Sequence, residues 1–345
     1  QTCALPILLI GVMGFMAYKY MFYAALCIVL LLILLVLSYR QTIDAYPNGG
    51  GSYIVAHDNL GITAGLTAGA SLTVDYILTV AVSICAGTAA ITSAIPSLLN
   101  HKVAIALVML VILTIGNLRG TKESSKIFGV PTYLFIVSCI ILIITGLIRH
   151  FVFRYTPAPL YSIPKQIGDI TIFLFLRAFA SGCTALSGVE AVSNGIPNFK
   201  EPSQKHAKAV LALLACLVLF IFGGLSFLST IYQPVPVANV TVFAQIAQQV
   251  FGKGIMFYII QVTTAFVLVM AANTAYAGLP LLLSLMAQDG YVPRQFSQRG
   301  KRLSFSDGII VLATAAGILI IVFRGDTHLL LPLYAVGEIG RASCR

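Results

Sequence analysis

"ITAGLTAGASLTVDYILTVAVSICAGTAAITSAI", residues 62–95, contains no Lys, Arg or Glu and a single Asp, at position 75. A helix that crosses a bilayer needs about 20 predominantly apolar residues, and this run exceeds that length. It therefore reads as a membrane span. An aspartate near the bilayer centre costs about 2.5–3.5 kcal/mol to insert, so Asp75 is expected to face the interior of a helix bundle and to have a partner there. Ser71, Thr79 and Ser83 lie four before, four after and eight after it, and so share its face of the helix. Four oxygen-bearing side chains on one stripe suit a hard cation or a proton path. Gly61, Gly65 and Gly69 recur every fourth residue at the start of the run, a pattern that lets a neighbouring helix approach closely.

The rest of the chain has the same character. Of its 345 residues 59% are hydrophobic and 9% charged, against about 25% charged in soluble domains. The net charge of +10 is spread between apolar runs and forms no patch, which argues against a nucleic-acid partner. Residues 1–7 (QTCALPI) and 338–345 (EIGRASCR) resemble translated sequencing-library adapters, so the chain is expected to be a fragment of a longer gene, with a partial transmembrane domain over residues 8–337. Cys27, Cys85, Cys139, Cys183 and Cys216 lie in apolar runs without a CxxC spacing and are expected to be buried apolar residues, with no redox or metal role.

Applying the length rule throughout gives spans over residues 8–16 (a partial one), 20–39, 62–95, 103–118, 127–148, 170–196, 209–231, 255–286 and 309–323, with a further one opening at 329–337. Placing the loops alternately on two sides puts eleven Lys and Arg on one side, among them Arg40, Lys208 and Arg294, and seven on the other, among them Lys102, Arg149 and Lys253. The richer side is expected to be cytoplasmic. The expected class is an all-α polytopic protein of the cell membrane.

Other motifs weigh differently. "SGCTALSGVEAVSNGIPNF", 181–199, crowds three glycines and a proline into a segment that must still cross the membrane, so an uninterrupted helix is not expected. A broken helix would offer free carbonyls to cations and a half-helix N-terminus to anions. Ser187 and Glu190 would share a face of its second half; the alternative leaves Glu190 near the cytoplasmic surface. "AYPNGGGSYIV", 45–55, lacks the GK[ST] of a phosphate loop and reads as a flexible cytoplasmic hinge or re-entrant turn. The histidines at 57, 101, 150, 206 and 328 fall in or beside loops with no HExxH spacing. "AANTAYAG", 271–278, sets Asn273 and Thr274 deep in a span, where such groups usually bond across helices. No nucleophile and base pair points to an enzyme.

Taken in order, "AYPNGGGSYIV", "SLTVDYILTVAVSICAGTAAITSAIP", "NLRGTKESSKIFGVPTYLF", "ALSGVEAVSNGIPNFK", "AANTAYAG" and "DGYVPRQFSQRG" resemble the amino acid–polyamine–organocation (APC) superfamily of secondary transporters, and within it the branch of high-affinity potassium importers related to the Kup type. The resemblance covers residues 8–337. It implies a LeuT-like fold of two inverted five-helix repeats with broken first and sixth helices. The spans then become the end of helix 1, helices 2 to 9 and the start of helix 10, a fold truncated at both ends. In that branch an Asp-Tyr-x-x-Thr on helix 3, a Thr-x-x-Glu on helix 6 and a Tyr on helix 10 serve the cation, together with an Asp and a Tyr of helix 1. Residue by residue this implies Asp75, Tyr76 and Thr79, then Ser187 and Glu190, with Ser187 standing where a Thr is usual, and Tyr334 from "PLYAVG".

The implied activity is proton-coupled potassium import by alternating access, with no cofactor beyond the transported potassium ion and proton. Oxygens of Asp75, Tyr76, Thr79, Ser187 and Tyr334 would replace part of the ion's hydration shell, and Glu190 would carry the proton. Burial favours a carboxyl's neutral form and a nearby cation its charged form, which links the two occupancies. The rival expectation is proton symport of an amino acid, a cationic amino acid or a polyamine. Asp75 speaks mildly against a neutral amino acid, which needs no extra carboxylate. A non-transporting membrane sensor is a third class, and would tolerate loss of the oxygen stripe that is present here. The expected partners are the lipid bilayer and the small substrate, with a homodimer allowed.

Overall fold

The structure is a computed structural model and describes residues 17–46, 51–119, 125–155, 199–235, 240–297 and 306–327, with isolated positions besides. Its helices are α1 (Ala17–Ala45), α2 (Gly51–Leu60), α3 (Ile62–Ala94), α4 (Lys102–Leu118), α5 (Ser125–Phe151), α6 (Ser203–Tyr232), α7 (Val242–Phe251), α8 (Ile255–Gln288) and α9 (Ser306–Val322). Six helical segments among the described residues are long and apolar enough to cross a membrane, and each overlaps an expected span. Helix α1 runs six residues past the expected end at 39, because nothing between Ser38 and Ala45 breaks a helix before Pro47. The expected broken span at 170–196, the partial spans at 8–16 and 329–337, and the two terminal segments lie largely or wholly outside the described residues.

The chain divides into two compact units. One comprises Gln1–Gly51 with Ile136–Ile260, the other Ser52–Phe135 with Gln261–Arg345. In the first, α1 packs on α6. Ile28, Leu32, Tyr39 and Ile43 recur at helical spacing and meet Ala207, Leu211 and Phe222, while Leu26, Leu30, Leu34 and Leu37 point outward. An apolar outward face is what lipid requires, so packing here comes from close van der Waals fit more than from exclusion of water. Two glycines provide that fit between α5 and α6. A Cβ on Gly224 would lie 2.6 Å from Ile143, and one on Gly146 would lie 2.8 Å from Leu228. Tyr232 Oη donates to the Gly146 carbonyl at 3.0 Å. The Lys208 ammonium pairs with the Asp44 carboxylate at one end of the α1–α6 pair. At the opposite end Arg149 donates to the carbonyls of Gln249 and Val250 in the last turn of α7, where a cation complements the helix dipole.

In the second unit α9 packs on α3 and α4, with Gly317 against Leu110 and Gly308 against Pro280. Val108, Val111, Ile112 and Ile115 of α4 and Ile310, Ile318 and Ile321 of α9 face outward, again the signature of lipid contact. Among the described residues, two ties near helix ends each connect residues that the charge count places on one side. Lys208 meets Asp44, and Arg149 meets Val250.

Three expectations need correction. The segment 45–55 is not wholly a hinge or turn, since Gly51–Leu60 forms α2 with Ser52, Tyr53 and Ala56 buried. Its glycines suggest a turn locally, but tertiary packing holds the helix. The Gly61, Gly65, Gly69 series is not one helix-packing face. Gly61, with φ at +92°, is the break between α2 and α3, a conformation that favours glycine. Gly65 lies under His57 and Gly69 under Tyr53 and Met286, so these two let α2 fold back against α3. Finally, Cys85 and Cys139 are buried but Cys27 and Cys216 are exposed. An apolar run does not distinguish a lipid-facing thiol from a core one, because both surroundings accept it; Cys183 lies outside the described residues.

Candidate functional site

Helix α3 is the centre of the candidate site. Asp75 is 2% exposed and Ser83 1%, with Ser71 and Thr79 half-buried, so the oxygen stripe turns inward as its spacing requires. Five other hydroxyls of this helix fold back on their own backbone, Thr92 among them, donating to the Ala89 carbonyl at 3.2 Å. Thr67, Thr73, Thr88 and Ser93 donate to carbonyls four residues earlier at 2.8, 2.9, 2.9 and 2.6 Å. Such local bonds satisfy a hydroxyl inside a span without any neighbour. Ser83 differs, because its buried Oγ makes no hydrogen bond among the described residues. A buried polar atom of this kind calls for an explanation.

Tyr76, the next residue after Asp75, rests the end of its phenol on Gly278 of α8. Helix α8 is held in register by two bonds to α4. The hydroxyls of Thr114 and Tyr276 lie 2.8 Å apart, and Asn117 Nδ2 donates to Asn273 Oδ1 at 2.7 Å. Thr114 gives its own proton to the Leu110 carbonyl at 2.7 Å, so Tyr276 is the donor to Thr114. Both helices place these groups three residues apart, on one face each. Asn273 thus bonds across helices as expected. Thr274 does not; it is exposed and donates to its own helix at Ala271.

At the end of α8 the sequence "DGY" closes the helix. Gly290 takes φ +83°, its N–H bonds to Ala287 O at 3.2 Å, and the Tyr291 N–H bonds to Met286 O at 2.9 Å, the pairing of a Schellman cap. That cap presents Asp289 to α2, where Tyr53 Oη donates to Oδ2 at 2.6 Å. Burial first, and then this bond, push the Tyr53 phenol up from its ordinary 10.0. A raised folded-state value means the contribution to stability is present below a pH of about 10 and is lost only as the pH climbs through the raised value. Tyr53→Phe keeps the ring against Gly69 and removes the bond. A hydrogen bond to a charged group contributes about 1.5–3 kcal/mol, and the exposed Asp289 places this one at the lower end. The expected result is faster amide hydrogen exchange confined to α2 and the cap, and unchanged exchange in α2 would count against this latch.

The amino acid permease family model matches residues 5–339, nearly the whole chain. The chain belongs to this family. The all-α, multi-pass architecture follows from membership as well as from the helices themselves, and agrees with the LeuT-like fold expected from the motifs. Among curated proteins, the permease is 48% identical over 322 residues to the potassium transporter KimA of Bacillus subtilis (strain 168), an alignment covering 93% of this chain and 53% of that protein. It is 23% identical over 270 residues to the low-affinity putrescine importer PlaP of Escherichia coli (strain K12), covering 75% of this chain and 57% of PlaP. The permease therefore spans about half the length of the curated relatives it matches. It resides in the cell membrane and crosses it several times.

Of the six expected site residues, the structure places Asp75, Tyr76 and Thr79 within two turns of α3; Ser187, Glu190 and Tyr334 lie outside the described residues. The reading of residues missed the Tyr53–Asp289 bond and the pairing of Thr114 and Asn117 with Tyr276 and Asn273. The matching i, i+3 spacing of polar groups in two spans is the signal that could have revealed the second.

Proposed function

We propose that the chain belongs to a secondary transporter that imports potassium by proton symport with alternating access. The observation that carries this reading is Asp75, a carboxylate buried to 2% exposure inside a span, on a stripe with Thr79 and the unsatisfied Ser83 hydroxyl. Intramembrane ionisable groups are costly and mark substrate pathways. Likeness to a potassium transporter over 93% of the chain supports potassium as the cation. Asp75, Tyr76, Thr79, Ser187 and Tyr334 supply oxygens to the ion, Glu190 carries the proton, and no other cofactor takes part. Any homodimeric assembly belongs to the same proposal and is checked by crosslinking in native membranes.

Likeness to a putrescine importer supports a second reading, in which Asp75 meets the ammonium group of a polyamine or cationic amino acid. Proteoliposomes holding the full-length protein separate the two. Potassium influx accompanied by proton entry, without competition from putrescine or lysine, is the expected result. Influx indifferent to a pH gradient removes the proton coupling, and displacement by excess putrescine moves the substrate to the polyamine class.

A further inference from the structure

We infer that Gly278 of α8 is a positioning residue for the ion site, because it sets how far the Tyr76 hydroxyl reaches from α3 and thereby tunes which monovalent cation is preferred. This rests on the potassium reading above. A Cβ built on Gly278 would lie 2.5 Å from Cζ, 2.6 Å from Cε1 and 2.7 Å from Oη of Tyr76. All three are atoms at the working end of the phenol. Non-bonded carbon atoms settle at about 3.5–4.0 Å, so even one methyl group here must displace the ring end by roughly an ångström. The backbone of α8 does not yield easily to relieve the clash, because Asn273 and Tyr276 fix the preceding turns to Asn117 and Thr114 of α4. The aromatic side chain moves instead, and it moves beside the buried Asp75.

Cation selection in an oxygen-lined site depends on the number and spacing of the oxygens that replace water. A tyrosine hydroxyl resting on a glycine backbone has its distance set by the other helix, so Gly278 acts on the ion only through Tyr76. A role in helix packing alone would predict a different outcome. It would lower the amount of folded protein and the maximal rate together, and would leave ion preference untouched.

The test uses the full-length protein reconstituted in proteoliposomes at matched protein content, comparing wild type, Gly278→Ala, Tyr76→Leu and the double variant. Potassium and rubidium influx are measured over a concentration series. Gly278→Ala is expected to raise the KM for potassium about tenfold, corresponding to about 1.4 kcal/mol, with maximal rate within about twofold and the potassium-to-rubidium ratio changed. In the Tyr76→Leu background, where no ring remains to be displaced, Gly278→Ala is expected to change nothing further. An unchanged KM and ion ratio for Gly278→Ala overturns the proposal, and so does an equal loss in both backgrounds. Should wild type carry putrescine and not potassium, the potassium reading fails by itself. The same non-additivity, read on putrescine KM, still decides whether Gly278 acts through Tyr76.

Discussion

Asp75→Asn is expected to abolish high-affinity potassium uptake while leaving the protein at least as stable as wild type. Asn matches Asp in shape and removes only the charge. In water the ion keeps its hydration shell; on the proposed potassium reading, the fixed negative charge of Asp75 is the main compensation for losing it inside the bundle. Removing one partner of a buried ionic pair costs about 3–5 kcal/mol, and each 1.4 kcal/mol is a factor of about ten in affinity. The KM for potassium should therefore rise by about 100-fold or more, and a potassium-auxotrophic host on low potassium should not be rescued by the full-length variant. The stability side runs the other way. A charged carboxylate is costlier to hold inside a span than a neutral amide of the same shape, so Asn relieves part of that cost. A structural carboxylate, bonded across helices to hold the bundle, predicts the reverse pattern. A variant that unfolds at lower temperature yet transports at wild-type KM would place Asp75 among the structural groups.

Much of this was legible in the residues because the membrane simplifies the code. Long apolar runs mark spans without reference to any partner, and the ends of α3, α4, α8 and α9 fall within a few residues of the expected positions. The 3.6-residue period likewise places Asp75, Thr79 and Ser83 on one stripe before any neighbour is known. What the local pattern does not carry is which helix faces which. Asn117 gives no indication that Asn273, 156 residues away, is its partner, and Tyr53 gives none that Asp289 is 236 residues on. The same limit explains Cys27 and Cys216, apolar in type but turned outward. Helix α2 is a different case. Its glycine-rich approach reads as a hinge, and only the fit of His57 over Gly65 and Tyr53 over Gly69 makes a helix of it. Helix α7 escapes the length rule altogether, being ten residues long.

That short helix leads to the second large effect, a loss of stability in Gln245→Leu. Gln245 is 0% exposed and Val235 1%. The side chain grips the backbone of the turn joining α6 to α7 from both directions. Oε1 accepts from the Val235 N–H at 2.9 Å, and Nε2 donates to the Val235 carbonyl at 2.6 Å and to the Val240 carbonyl at 3.4 Å. Leucine fills nearly the same volume but offers neither donor nor acceptor. Two buried backbone groups of Val235 are then left unpaired, at about 1–3 kcal/mol each. Taking about 3 kcal/mol in all, and about 2–4 °C per kcal/mol for a domain of this size, the thermal midpoint in detergent should fall by about 6–12 °C. Gln245→Glu separates lost packing from lost bonding. It preserves the shape and can still accept from Val235 N–H, but loses the donation to both carbonyls and buries a charge, so it should be at least as damaging as Leu. A midpoint unchanged in Gln245→Leu would mean that the turn finds other partners, and that α7 is anchored mainly by Arg149 at its C-terminus.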